Sequence, residues 1–189
     1  GKGTMDKIRD IMDTDTCNDY QHIQTNSDSE KSKDIFLNIH GVGPSAAQRL
    51  VDEGFKTIED LRNCQNIKDY LNEVQIKGLM YYDSNLMRIP YGEIQKHEIY
   101  LKKVLSEIDS SAELTIAGSY RRRKPDSGDI DILLKSFGDS TYEKFITKLK
   151  DNNYIRETLA HGPKKFMGIS NIDNDQHSVN NRRIDIMYT

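Results

Sequence analysis

The sequence is poor in cysteine, lacks a long apolar run and has no recognisable export signal. Its 189 residues include two cysteines, Cys17 and Cys64, too few for a disulfide framework and without the spacing of a zinc site. We therefore expect a reducing compartment. No apolar run approaches the roughly 20 residues that span a bilayer, and no signal-peptide pattern opens the chain, so we expect no membrane partner.

Net charge is also small, at -3, and this excludes a general attraction to nucleic acid. Phosphate binding would have to come from local basic patches, which occur at 121–124, 164–165 and 182–183. About 35% of the residues are hydrophobic and 30% are charged, which is typical of a soluble globular protein with a real core.

The chain divides by its hydrophobic periodicity into a helical part and a strand-rich part. Residues 18–34 are polar and without period, which predicts a linker. Residues 35–109 have helical spacing, and from Leu114 the period becomes that of strands with one helix at TYEKFITKLKDNN. These patterns predict an α+β protein in which a helical domain precedes a mixed, mostly antiparallel sheet. Because the chain starts without Met and stops at Thr189 inside a strand pattern, we expect a fragment of a longer protein.

The stretch SGDIDILL places two aspartates, Asp129 and Asp131, on one face of a predicted strand. Two carboxylates held close together repel each other unless a cation lies between them. Mg²⁺ takes oxygen ligands and leaves positions for substrate phosphates, so it is the natural occupant. An exposed edge strand with solvated acids would give the same pattern.

Eleven residues before Asp129, Gly118 and Ser119 precede a basic run, Arg121 to Lys124. A Gly-Ser turn allows a phosphate to approach backbone N–H groups and a hydroxyl, and an arginine adds charge-assisted hydrogen bonds. Alone, the run would be a solvated basic loop or a nuclear-localisation patch. Beside a pair of aspartates, it predicts the layout of a nucleotidyl transferase.

A third acid, Asp185, lies in the alternating strand RRIDIMY, with Arg183 on the same face. Two-metal phosphoryl transfer needs such an acid, since one metal must also activate the attacking hydroxyl. Arg183 would orient that acid or change its pKa.

The segment IHGVGPSAAQRLVDEGFKTIEDLR predicts two helices joined by a tight Gly-x-Gly hairpin. Pro44 suits the first position of the second helix, and Gly41 and Gly43 permit close approach of a backbone. Free N–H groups at that helix start form a phosphate site. An ordinary helical hairpin is the alternative for the glycines alone, but the surrounding pattern favours a helix-hairpin-helix.

Together these motifs resemble the family X DNA polymerases. The resemblance runs from Gly1 to Thr189 and is weakest over 9–34. It rests on segments in the family's order and spacing: GVGPSAAQRLVDEGFKTIEDLR, RIP at 88–90, GSYRRRKPDSGDIDILL, KKFMGIS and RRIDIMY. It implies the end of a lyase-like domain at 1–17, a linker at 18–34, a fingers-like helix-hairpin-helix domain at 35–88, and a nucleotidyltransferase palm at 89–189 that stops before the thumb.

The resemblance also implies a role for each matching residue. Asp129, Asp131 and Asp185 would hold two Mg²⁺ ions, with Arg183 beside the third acid, while Ser119, Arg122, Gly128 and Arg88 would bind the triphosphate of a deoxynucleotide. The carbonyls of Leu37, Ile39 and Val42 would hold K⁺ or Na⁺, and Gly41, Gly43, Ser45 and Ala46 would contact DNA phosphate. Lys7 would be the Schiff-base lysine of a 5′-deoxyribose-phosphate lyase.

The implied function is a gap-filling repair polymerase that acts on gapped or nicked double-stranded DNA with deoxynucleoside triphosphates. Its location would be the nucleus in a eukaryotic cell, and the cytoplasm or virion for a viral protein. Two departures bear on this function: Arg123 replaces a usual glycine, and the thumb and most of the lyase domain fall outside the chain. We therefore expect the fragment alone to be weakly active or inactive. The alternatives are a template-independent nucleotidyltransferase of the same fold and a DNA-binding module without catalysis.

Overall fold

The structure is a computed structural model that describes residues 18–138, 140–173 and 180–189, with side chains from Asp28 onward. The chain forms two compact units, one up to Met80 and one from Tyr81, whereas the sequence placed the domain boundary between Arg88 and Ile89. Among the described helices, none has both the length and the apolar character that crossing a bilayer requires.

The described part of the first unit is helical. Its elements are α1 Asn18–Leu37, α2 Pro44–Asp52, α3 Ile58–Arg62, a 3-10 turn at Ile67–Asp69, and α4 Glu73–Met80. Helix α3 begins with a capping box, in which the Thr57 hydroxyl accepts from the Asp60 N–H and the Asp60 carboxylate accepts from the Thr57 N–H. These helices confirm the helical periodicity seen after residue 35.

Helix α1 corrects the prediction of a linker at 18–34, because those residues are helical. The sequence has no apolar residue between Ile23 and Ile35, so periodicity could not mark this helix. Its last turn buries Phe36 completely, and α1 packs against α2. Tertiary packing at one end therefore accompanies a helix whose sequence alone reads as loop.

The hairpin between α1 and α2 is held by a close contact with α4. A Cβ on Gly78 would lie only 2.3 Å from the His40 carbonyl oxygen, so only glycine fits there. Ile39 and Val42 are buried in the hairpin, and their burial fixes the loop as part of the unit's core. The Gly41 backbone is thereby presented at the surface.

The second unit combines three helices and a short helical turn with two sheets. Its elements are α5 Tyr82–Leu86, β1 Ile89–Pro90, α6 Tyr91–Ile108, β2 Glu113–Ile116, α7 Gly118–Arg121, β3 Asp126–Ser127, β4 Ile130–Lys135, α8 Thr141–Asp151, β5 Ile155–His161, β6 Lys165–Ser170 and β7 Arg182–Tyr188. Strands β1 and β3 form a two-stranded sheet, and the larger sheet has the order β2-β4-β7-β6-β5. Among the strands that the structure describes, β4–β7 is the one parallel pair, which confirms the mixed, mostly antiparallel sheet.

The core of this unit lies on one face of the larger sheet. Ile130, Ile132 and Leu134 of β4 are at most 1% exposed and join one cluster with buried residues of α6 and α8. Helix α6 buries Ile94, Leu101 and Leu105 against this cluster, and Ile108 at its end is partly buried. Because side chains alternate along a strand, Asp131 and Leu133 point to the opposite face. The core packing of β4 thus directs an acidic residue away from the core.

Candidate functional site

Two aspartates lie side by side on the parallel strands β4 and β7. Asp131 and Asp185 are direct register partners, flanked on each strand by buried isoleucines. Asp129 precedes the first residue of β4, so the prediction that it lies within the strand was wrong by one residue. The register therefore brings together acids that are 54 residues apart in sequence.

The three acids interact electrostatically. The pKa of Asp131 is raised, first by burial and then by the charges of Asp129 and Asp185, while Arg183 and Lys165 act in the opposite direction. Asp185 is 8% exposed and receives the Arg183 guanidinium on both carboxylate oxygens, at 3.4 Å each. Lys165 Nζ lies 3.6 Å from Asp185 Oδ2. Two cations thus compensate the most buried acid of the group.

The donor atoms of these three acids are those that a hard divalent cation prefers, because carboxylate oxygens are the usual ligands of Mg²⁺. Mutual repulsion between Asp129, Asp131 and Asp185 is what such a cation would relieve. As the side chains stand, no three His, Cys, Asp or Glu residues of the described ranges are arranged so that they could hold a metal ion. The acid set fits the chemistry of a divalent cation, and its present partners are Arg183 and Lys165.

Helix α7 lies directly against Asp131. We predicted a turn at Gly118–Ser119, but the chain forms one helical turn there, Gly118–Arg121. Gly118 has a φ of +56°, and a Cβ on it would lie 2.5 Å from Asp131 Oδ2. The Ala117 N–H also donates to the Asp131 carbonyl at 2.8 Å. Glycine is therefore required at 118 both by its conformation and by the approach of the acid.

The residues predicted to hold the triphosphate near α7 are Ser119 and Arg122. Arg122 is exposed, and its Nη2 lies 3.5 Å from the Ser119 hydroxyl, at the limit of a hydrogen bond. Arg123, the residue that departs from the family's glycine, has a φ of +56°. A left-handed conformation is strained for an arginine and easy for a glycine.

Sequence reasoning missed the anchor of α7. The Tyr120 hydroxyl donates to Glu98, and the Tyr120 ring stacks on Tyr91 with centroids 4.6 Å apart. Both partners belong to α6. These contacts fix the turn that carries Ser119 and Arg122, and no local pattern in the sequence indicates them.

Arg88 and Gly128, the other two predicted triphosphate residues, are also neighbours. The pairing of β1 with β3 brings them together, and a Cβ on Gly128 would lie 3.2 Å from Arg88 Nη1. Ser127, which directly precedes Gly128, is 3% exposed, and its hydroxyl has no hydrogen-bond partner among the described residues. A buried hydroxyl of this kind next to Gly128 was also missed.

A second group missed by the sequence lies behind Arg183. Arg182 is only 4% exposed and forms a bidentate pair with Glu93, at 2.6 and 3.1 Å. His97 Nε2 lies 3.9 Å from Glu93 Oε1, and His97 Nδ1 is 2.7 Å from the Tyr154 hydroxyl. These contacts connect the start of β7 to α6 and so support the strand that carries Asp185.

In the first unit, the hairpin residues predicted to bind DNA surround one open depression. Gly41 has a φ of +84°, and Gly43 begins α2 without any side-chain cap. The depression has a volume of about 570 Å³ and also contacts Arg49 and Lys68; its predicted DNA-binding residues are Gly41, Gly43, Ser45 and Ala46. Uncapped N–H groups and two cations therefore face the same space.

The three carbonyls predicted to bind a monovalent cation come from the same hairpin. Leu37 ends α1, and the Ile39 carbonyl accepts the Val42 N–H at 3.0 Å. Lys7, the predicted lyase residue, lies outside the described residues.

Comparisons with known proteins match two successive parts of the chain. Residues 88–189 match a family model described as DNA polymerase beta palm, and residues 34–84 match one described as the fingers domain of DNA polymerase lambda. DNA polymerase lambda of Arabidopsis thaliana is 34% identical over 163 residues, which is 84% of this chain and 30% of that protein. DNA polymerase lambda of Rattus norvegicus is 25% identical over 196 residues, covering 99% of this chain and 33% of that protein.

A DNA nucleotidylexotransferase of Xenopus laevis is also similar, at 25% identity over 166 residues, 86% of this chain and 31% of that protein. The chain thus spans about a third of the length of the curated relatives that it matches. The palm match covers residues 88–189, which is more than half of the chain.

Proposed function

The chain belongs to the DNA polymerase beta palm family, and on that premise we propose that it is part of a DNA-directed DNA polymerase of the gap-filling repair type. Such an enzyme adds a deoxynucleotide to the 3′ hydroxyl of a primer. The observation that carries the proposal is the register of Asp131 with Asp185, with Asp129 close enough to raise the pKa of Asp131. An acid set of this kind next to a phosphate-binding turn serves nucleotidyl transfer.

The proposed metal ligands are Asp129, Asp131 and Asp185, which would hold two Mg²⁺ ions. When bound, the ions supply charge for the triphosphate and a lower pKa for the attacking hydroxyl. Arg183 contacts both oxygens of Asp185 and would hold that carboxylate in one orientation. Lys165 would balance its charge.

The proposed triphosphate site combines side chains with backbone. Ser119 and Arg122 lie close together at α7, which Tyr120 fixes to α6. Arg88 lies beside Gly128, next to the paired strands β1 and β3. A guanidinium makes charge-assisted hydrogen bonds to phosphate, and a glycine lets a phosphate approach a backbone N–H. These groups would bind and orient a deoxynucleoside triphosphate beside the three acids.

The proposed role of the hairpin is to hold DNA by its backbone. The uncapped start of α2 offers N–H groups from Ser45 and Ala46, and Arg49 and Lys68 add positive charge to the same depression. The carbonyls of Leu37, Ile39 and Val42 would bind K⁺ or Na⁺ that bridges to a phosphate. Such contacts carry no base information, so binding to gapped or nicked duplexes would be independent of sequence.

Two further assignments rest on the family alone. Lys7 would form the Schiff base of a 5′-deoxyribose-phosphate lyase, and a nuclear location would follow for a eukaryotic protein. The similarity to a DNA nucleotidylexotransferase supports a second candidate function, a template-independent nucleotidyltransferase of the same fold. A DNA-binding module without catalysis is the third.

Primer extension on one-nucleotide-gapped DNA separates these functions in the whole protein that contains this chain. We expect addition of the templated nucleotide only, dependent on Mg²⁺ and stopped by a chelator. Addition that ignores the template base would support the template-independent transferase. DNA binding without any addition would overturn the polymerase and leave the binding module.

A further inference from the structure

The Arg88 guanidinium has two neighbours: Asp126 on β3, and Gly128, the residue that follows β3. Its Nε donates to Asp126 Oδ1 at 3.0 Å, and its Nη2 donates to the same oxygen at 2.6 Å and to the Asp126 carbonyl at 3.4 Å. Its third nitrogen, Nη1, lies against Gly128. Nη1 has no hydrogen-bond partner among the described residues.

This arrangement follows from the register of the small sheet. Ile89 pairs with Ser127 and Pro90 pairs with Asp126, so the next position of the antiparallel ladder places Arg88 opposite Gly128. Ile89 is fully buried and Ser127 is 3% exposed, which anchors the ladder in the unit. Tyr91 extends the contact, because its N–H donates to the Pro125 carbonyl at 2.9 Å. The position of Arg88 is therefore set by buried backbone.

Buried backbone does not fix the side chain of Arg88, because that side chain is 57% exposed. An exposed arginine has many rotamers, and orienting it on a ligand costs conformational entropy. Asp126 removes much of that freedom, because it accepts from two nitrogens of the planar guanidinium. Nothing in the motif that contains Gly128 and Asp129 requires an acid at this position for metal binding.

We propose that Asp126 is a positioning residue for the incoming triphosphate: it holds Arg88 so that Nη1 and the Gly128 backbone meet one phosphate together. The inference rests on the proposed function and assigns to Asp126 a role that neither the acid set nor the basic turn includes. Asp126 acts through Arg88 and does not itself contact the nucleotide.

The opposite role would be competition, in which Asp126 occupies Arg88 and a phosphate must displace it. The geometry favours positioning, because Asp126 engages the Nε and Nη2 edge and leaves Nη1 unoccupied. The absence of a side chain at Gly128 also leaves space next to Nη1. A phosphate can reach that nitrogen while the pair with Asp126 remains intact.

The test compares Asp126→Ala, Asp126→Asn, Arg88→Ala and the double variant Asp126→Ala/Arg88→Ala in the whole protein. Steady-state incorporation on one-nucleotide-gapped DNA gives kcat and the KM for the nucleotide, and equilibrium binding of a fluorescent deoxynucleoside triphosphate gives Kd. We expect Asp126→Ala to raise KM and Kd roughly 3- to 10-fold with kcat within about twofold, since lost ground-state binding appears in KM. Asp126→Asn keeps an acceptor and should fall between Asp126→Ala and the unchanged protein.

The double variant gives the sharpest expectation. If Asp126 acts through Arg88, removing it from the Arg88→Ala protein should change KM by less than about twofold. Glu113→Ala is the matched control, because it breaks an exposed ion pair with Lys135 at the start of β2 and should leave KM unchanged. Thermal melts of each variant report folding separately.

Three outcomes overturn the positioning role. They are a lower KM in Asp126→Ala, additive effects in the double variant, and a loss of kcat that follows the melting temperature with KM unchanged. If the unchanged protein neither binds nor incorporates a nucleotide, the proposed function is overturned as well. Incorporation by the unchanged protein together with any of the three outcomes removes the role of Asp126 alone.

Discussion

The acid group of Asp129, Asp131 and Asp185 and the Gly-x-Gly hairpin both bind phosphate in our proposal, but they are built from different parts of the chain. In the acid group the chemistry is in side chains: Asp131 and Asp185 stand in register on the inner strands β4 and β7, and Arg183 and Lys165 lie 3.4 and 3.6 Å from Asp185. At the hairpin it is in the backbone, where a φ of +84° at Gly41 is followed by an uncapped helix start.

This difference determines what each region can do. Charged side chains in a partly buried setting change one another's pKa, and the pKa of Asp131 is raised by burial and by the charges of Asp129 and Asp185. Backbone N–H groups offer weaker, uniform contacts that any phosphate satisfies. The acid group should therefore lose its activity when one side chain is removed, and the hairpin should lose DNA binding only when its backbone is disturbed.

Asp185→Ala should have the largest effect. The substitution removes the third acid and leaves Arg183 and Lys165 without a partner, so incorporation should fall by about 10³-fold or more. DNA binding should stay within about twofold, because the acid serves chemistry and contacts no phosphate of the duplex. Single-turnover extension and fluorescence anisotropy on the same gapped DNA measure the two quantities. A parallel loss of both would show that Asp185 supports the fold or the DNA contact.

Arg122→Ala should come next, and Lys124→Ala is its matched control in the same basic run. Arg122 lies 3.5 Å from the Ser119 hydroxyl, and we expect it to grip the triphosphate through charge-assisted bonds. Its loss should raise the apparent Kd for the nucleotide roughly 10- to 100-fold, while Lys124→Ala changes it little. The two variants are assayed side by side at fixed Mg²⁺ and salt. Equal small effects would make the run a general electrostatic patch.

Gly41→Ala should weaken DNA binding about 3- to 10-fold, because alanine is strained at a φ of +84° and its Cβ would lie 3.2 Å from Val74. Gly54→Ala is the control, since Gly54 has a φ of +91° but open space around a Cβ and lies outside the hairpin. Anisotropy titrations over a range of salt should give a shallow slope, near -0.9 per phosphate contacted. If Gly54→Ala weakens DNA binding as much as Gly41→Ala does, the lost binding results from reduced stability and not from the hairpin.

Glu93 gives the smallest expected effect, on the pH dependence of stability. His97 and Arg182 lower the pKa of Glu93 to about 2, against the opposing effect of burial. An acid whose pKa is lower in the folded state stabilises the fold fully when the pH is above the acid's ordinary pKa of 4.5. This contribution is lost as the pH falls toward 2.

Glu93→Gln should therefore reduce the free energy of unfolding by roughly 1–2 kcal/mol at pH 6, since solvent screens a partly exposed pair. The difference from the unchanged protein should shrink between pH 4.5 and 2. Urea melts across this range measure it, with Glu113→Gln as a control at the exposed end of β2. A difference that stays constant over the whole range would contradict the assignment.

Local sequence signals were enough for the longer strands. Alternation predicted β4 and β7, and the spacing of Asp129 and Asp131 put these two acids together. Asp185 joined them only through the needs of two-metal chemistry and the family resemblance. What escaped prediction depends on contacts between distant residues. The helical turn that begins at Gly118 packs against Asp131. The buried Arg182 pairs with Glu93, which lies 89 residues away in sequence.

Helix α1 escaped for a related reason, because residues 24–34 contain no apolar side chain, and Phe36, its fully buried residue among the described side chains, lies in the last turn. The pair of Arg88 with Asp126 needs the ladder between β1 and β3, two strands of two residues each. Strands so short leave no alternation to detect. The sequence therefore indicates which residue types act, and the register decides which of them meet.

Anomalous diffraction from Mn²⁺ is the most direct test of the claim that the three aspartates form one nucleotidyl-transfer centre. Crystals of the whole protein with gapped DNA and a non-hydrolysable deoxynucleotide would be measured at the manganese edge. We predict two peaks bounded by the carboxylates of Asp129, Asp131 and Asp185, about 3.5–4 Å apart. Peaks that avoid these carboxylates, or carboxylates that point to different sides of the sheet in the complex, would contradict the account.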